Sequence, residues 1–168
     1  MQKIAVQDAN IIIDLIKTGL FDHCLALAYQ FTTTNIILDE LYDEQIAVVQ
    51  PHINSGKFEL IQINAIELEE IQELSLQDTR LSEQDWSAYF FAKKHDALLL
   101  TGDSRLRTRA LKDGIEVCGI FWVLDQLVDT GILEKENACS FLNDLISKNI
   151  RLPKEACDKR IALWCNIT

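Results

Sequence analysis

Short unbroken apolar runs alternate along this chain with longer stretches in which apolar residues recur every three or four positions. The short runs predict strands. Ala97 to Thr101 (ALLLT) has no polar alternation, the mark of a strand covered on both faces, as in a parallel sheet flanked by helices. Lys3 to Gln7 (KIAVQ), Phe31 to Thr33 and Glu116 to Gly119 predict three more, and Lys57 to Ile63 (KFELIQI) alternates like an edge or half-covered strand. Helical spacing fills the intervals. It runs from Asn10 to a break at Gly19, resumes from Phe21 to Tyr29, and continues from Ile36 to Val49, where Pro51 closes the pattern. Further helices are predicted over Ile66 to Leu76, from Ser82-x-x-Asp85 to Lys93-Lys94, from Ser104 to Gly114, over Trp122 to Val128 and over Lys135 to Lys148. A helix joining two parallel strands is a crossover, so each strand ends on the same side of the sheet. The fold class is α/β, with a central parallel sheet of about five strands.

Acidic residues mark that side. Asp8 follows the first strand and Asp103 the fourth, where open α/β sheets bind ligands; Asp85 opens a helix, and Glu40 lies one turn into another. Each has a plain alternative. Asp103 and Asp85 are good helix caps, Glu83 replaces Asp85 if its helix begins differently, and Glu44 competes with Glu40 for the same face. Glu67, Glu69, Glu70 and Glu73 read as one solvated helix face.

Carboxylates gathered in one place raise each other's pKa unless a cation neutralises them. Oxygen donors without histidine or cysteine point to Mg²⁺ or Mn²⁺. Such ions activate a water, orient a phosphate oxygen and stabilise a leaving oxygen, which is the chemistry of phosphodiester cleavage. Asp8, Glu40 and Asp103 are the expected metal ligands and catalytic acids, with Asp85 completing the cluster directly or through water. Asn10 and Thr101 stand close enough in sequence to hydrogen-bond a carboxylate, or else serve turn and cap chemistry. Arg105 and Arg107 beside Asp103 offer phosphate contacts.

Composition and charge change this picture in four ways. With 168 residues, 48% of them hydrophobic, and only six glycines and two prolines, the chain predicts one packed domain without linkers. Residues 1–133 form the expected functional domain, and 134–168 a helical extension packed on it. Five scattered cysteines without CxxC spacing predict small core hydrophobes rather than a disulfide frame or a zinc site. The opening apolar stretch is broken by Asp8 and Asp14, which excludes a signal peptide or membrane span there and predicts a cytoplasmic protein. The net charge of -10 disfavours broad phosphate binding, unless part of the acid sits in a cation-binding cluster or faces a basic partner.

Four segments together resemble a known family. Asp8-Ala9-Asn10, Leu38-Asp39-Glu40-Leu41, Leu81-Ser82-Glu83-Gln84-Asp85 and Leu99-Leu100-Thr101-Gly102-Asp103-Ser104-Arg105-Leu106-Arg107 look like the four acidic motifs of PIN domains, in order and approximate spacing, over Ile4 to Leu133. The resemblance implies a Rossmann-like three-layer α/β/α PIN fold, a Mg²⁺- or Mn²⁺-dependent ribonuclease, and frequently a homodimer. It also implies, for small members, a toxin of a toxin-antitoxin pair inhibited by a partner protein at the acidic site. The extension from Lys135, with Asn149-Ile150-Arg151-Leu152-Pro153, looks more like a related branch of the family. The rival expectation is a module that keeps the fold and binds RNA or regulates without cutting.

Overall fold

A computed structural model describes residues 2–148 and 152–165. Asn149, Ile150 and Arg151 of the extension therefore lie outside the described residues. Five strands, β1 (Lys3–Gln7), β2 (Tyr29–Thr34), β3 (Glu59–Ile61), β4 (Leu98–Leu100) and β5 (Val117–Cys118), form one all-parallel sheet in the order β3-β2-β1-β4-β5. The central strands β1 and β4 are the apolar ones. Ala5, Val6, Leu98, Leu99 and Leu100 are fully buried, as helices on both faces demand.

Helix α6 (Glu83–Lys94) lies across β1, β2 and β4 and meets α3 (Asn35–Leu38), α5 (Ala65–Ser75) and α7 (Ser104–Lys112). Trp86 and Tyr89 anchor it in the core. A second group is built on α1 (Ala9–Thr18), which packs with α2 (Phe21–Leu25), α4 (Asp43–Asn54), α8 (Ile120–Asp129) and α9 (Lys135–Ser147). The last helix, α10 (Lys154–Trp164), packs on α9. No helix among the described residues is long and apolar enough to cross a membrane.

The predicted helix over Ile36 to Val49 is corrected to two. Thr34 caps the four-residue α3, and a turn through Asp39 to Leu41 separates it from α4, so Glu40 sits in a turn and not inside a helix. Pro51 does not close α4. It lies inside, with Pro51 and Ala47 both exposed, so the carbonyl that loses its amide partner faces water.

The cysteine expectation also needs correction. Cys139 and Cys165 form a disulfide, because the start of α9 meets the end of α10 in a helical hairpin and brings the two Cα atoms to 5.3 Å. Arg160 of α10 pairs with Asp125 of α8 and lies over the Phe121 ring, fixing that hairpin to the body. Cys24 and Cys157 are buried and free, as expected.

Candidate active site

Strand order places the site. From β1 the chain winds outward through β2 to β3, then returns to the opposite side of β1 with β4 and β5, so the order reverses between β1 and β4. A crevice opens at such a reversal, at the carboxyl ends of the strands. Asp8 leaves β1 there, and Thr101-Gly102-Asp103 leaves β4 beside it.

Asp8 is 2% exposed. Its Oδ1 accepts from the Ala9 amide at 2.8 Å, starting α1, and its Oδ2 accepts from Asn10 Nδ2 at 2.7 Å and from the Thr101 hydroxyl at 2.8 Å. Its own amide donates to Leu100 O at 3.0 Å. Burial pushes the Asp8 carboxyl up to about 6 against the hydrogen bond from Thr101, and the charges of Asp85 and Glu40 push it the same way. Three of the four expected acids are thus close enough for their charges to oppose one another.

Glu40 is solvent-exposed as a residue, yet partial burial of its carboxyl and the charge of Asp85 both raise its pKa. Its turn is held in register with α6. The Thr34 hydroxyl, which caps α3 at Ile37 N, lies 2.8 Å from the Ser87 hydroxyl, two residues beyond Asp85. Sequence reasoning missed both Thr34 and Ser87, although a threonine between a strand and an apolar helical run is a legible cap signal. Asp85 has its own structural duty: Ser82 Oγ accepts from the Asp85 amide at 3.0 Å while Asp85 Oδ2 accepts from Ser82 N at 2.8 Å. Glu44 and Glu83 are both exposed, in the first turns of α4 and α6.

Asp103 joins through Thr101. Its amide donates to Thr101 Oγ1 at 3.0 Å, while its carboxylate Oδ1 caps α7 by accepting from Arg105 N at 2.9 Å and Leu106 N at 2.8 Å. Asn10 closes the far side of this turn, its Oδ1 accepting from Gly102 N at 2.8 Å. The fit is close there, since a Cβ at position 102 would stand 3.2 Å from Asn10 Oδ1 and press that side chain aside. Arg105 is exposed. Arg107, expected on a substrate phosphate, donates to two main-chain carbonyls, Thr101 O at 3.1 Å and Val117 O at 3.3 Å.

Among the described residues no three histidine, cysteine, aspartate or glutamate side chains form a ready-made metal site. The donor set nevertheless suits a hard divalent cation. Its members are carboxylates alone, and the buried Asp8 carries a charge that its neighbours oppose and a cation would relieve.

An open, doubly wound α/β protein with acids at the reversal of strand order is the class these features define. Residues 4–165, which include both C-terminal helices, match the family model DUF3368, described as a PIN domain. The chain belongs to this PIN-domain family. Among solved structures, the crystal structure of PAE2754 from Pyrobaculum aerophilum superposes with a TM-score of 0.54 over 75% of this chain and 98% of that one. At 14% identity this is a likeness of fold alone. No curated protein matches the chain in sequence.

Proposed function

We propose that this protein is an endoribonuclease that hydrolyses RNA phosphodiester bonds with Mg²⁺ or Mn²⁺. The observation that carries the proposal is the buried Asp8 carboxylate, opposed by Asp85 and Glu40 at the carboxyl edge of the sheet in a PIN-domain chain. Asp8, Glu40 and Asp85 would hold the ion, with Asp103 next to them through Thr101; Glu44 and Glu83 are secondary candidates. The ion supplies charge neutralisation and a water of lowered pKa when bound. Arg105, exposed at the start of α7, is the remaining arginine of the pair for a substrate phosphate. In this reading residues 1–133 are the nuclease domain and 134–168 an extension packed on it.

A toxin role in the cytoplasm, with an inhibitory partner protein at the acidic edge and a homodimer as the working form, belongs to the same proposal. The chain's net charge of -10 suits a basic inhibitor. It modestly favours the rival reading too, a PIN-fold module that binds or regulates without cutting, most of all in its regulatory form, since an acidic surface suits a basic protein partner better than RNA.

Incubating the purified protein with a structured RNA and Mn²⁺ separates the two. Cleavage that stops with chelator and with Asp8→Asn, in a variant that stays folded, supports the nuclease. Metal-dependent binding without product supports the rival.

A further inference from the structure

The carbonyl of Thr101 is buried where the sheet runs out. Thr101 N donates the last ladder bond of β4 to Cys118 O at 3.0 Å, and the chain then leaves β5 at Gly119 to begin α8. No backbone amide among the described residues donates to Thr101 O. A buried carbonyl without a donor is costly. Arg107, in the first turns of α7, fills the vacancy: Nη2 reaches Thr101 O at 3.1 Å and Nη1 reaches Val117 O at 3.3 Å. Its planar fork bridges the ends of two strands, which a lysine ammonium cannot match.

Gly119 supplies an independent observation. Its φ of -134 is ordinary extended backbone, so conformation does not demand glycine. Space does. A Cβ at position 119 would stand 3.0 Å from Arg107 Nη2 and 3.4 Å from Thr101 O.

We propose that Arg107 is a positioning residue that fixes the Thr101 backbone, and through the Thr101 hydroxyl the Asp8 carboxylate, in a seat kept open by Gly119. The contacts close a ring: Asp103 caps α7, α7 carries Arg107, Arg107 returns to Thr101, and Thr101 Oγ1 holds both Asp8 and the Asp103 amide. The catalytic consequence rests on the nuclease reading, whereas the positioning itself does not.

Amide hydrogen exchange tests the positioning without any reaction. In Arg107→Ala, exchange at Asp103, whose amide bonds Thr101 Oγ1, rises about tenfold, the effect of weakening roughly one hydrogen bond, while Val6 in the centre of the sheet is unchanged. Gly119→Ala keeps the arginine but displaces it, and gives the same local pattern with a smaller increase. Unchanged exchange at Asp103 in Arg107→Ala overturns the proposal. If the wild type cleaves RNA, Arg107→Ala lowers kcat by roughly tenfold to a hundredfold with KM and salt dependence unchanged. A raised KM with a flatter salt dependence instead identifies a phosphate contact and overturns it. If the wild type does not cleave, the nuclease reading fails and the exchange result still decides the role of Arg107.

Discussion

Thr101 and Asp8, 93 residues apart in the chain, are joined by a 2.8 Å hydrogen bond from the threonine hydroxyl to the carboxylate, across the point where the strand order reverses. The same hydroxyl oxygen accepts from the Asp103 amide, so one side-chain atom ties the two aspartates that end β1 and β4.

Thr101→Val removes that atom while keeping the β-branched shape. Asp8 loses a bond that favours its charged form, and the Asp103 amide loses its acceptor. Stability falls by about 1–3 kcal/mol in denaturant melts. The acid limb of Mn²⁺ binding moves to higher pH, because Asp8 then ionises less readily. Thr101→Ser restores both, and a valine variant with unaltered pH dependence would refute the link.

Asp8 also makes stability depend on pH, with a definite sign. Its folded pKa, about 6, lies above the ordinary 3.8, so the folded chain binds the proton more tightly than the unfolded chain. The stabilisation from holding Asp8 protonated is complete below about pH 4. It is lost as pH rises through 6, a change of roughly 3 kcal/mol. Asp8→Asn escapes this loss, so its Tm relative to wild type is higher at pH 8 than at pH 4. Adding Mn²⁺ at pH 8 raises the wild type alone and narrows the gap. A Tm difference that does not vary with pH would show that Asp8 is not held this way.

Asp103 serves both a helix and the acidic edge, and two substitutions separate these duties. Asp103→Asn retains a capping oxygen for Arg105 N and Leu106 N and stays close to wild-type stability, whereas Asp103→Ala loses about 1 kcal/mol. If the carboxylate serves cleavage, both variants lose activity equally. An active Asp103→Asn would reduce the residue to a cap.

The Cys139–Cys165 bridge spans a sequence separation of 26 and ties α10 to α9. Reduction, or Cys139→Ser, lowers stability by up to about 3 kcal/mol and loosens α10 first, seen as faster exchange there than in β1. Because the bridge holds the extension and not the strand ends, any RNA cleavage the wild type shows below the melting range is retained in the variant.

The sheet class and its five strands were legible because apolar runs and helical spacing are local signals, set by what each segment buries. Asp8 and Asp103 were legible for the same reason: both follow strands, and parallel strands end together. Glu40 was harder. A cap at Thr34 and a turn after Leu38 interrupt what looks like one helix, since short-range apolar spacing does not register where the chain changes direction. The contacts of Arg107 and the Cys139–Cys165 bridge were not legible. Their partners, Thr101 O, Val117 O and each other's sulfur, are brought near by packing of α7 and of the α9–α10 hairpin, and composition carries no trace of that.

By itself the sequence determined which segments become strands and helices and which carboxylates follow them, because side-chain burial and capping act over a few residues. Only the tertiary structure decided the order β3-β2-β1-β4-β5, and with it that Asp8 and Thr101 face each other. That order depends on how helices pack on both faces of the sheet, an energy shared among residues far apart in the chain.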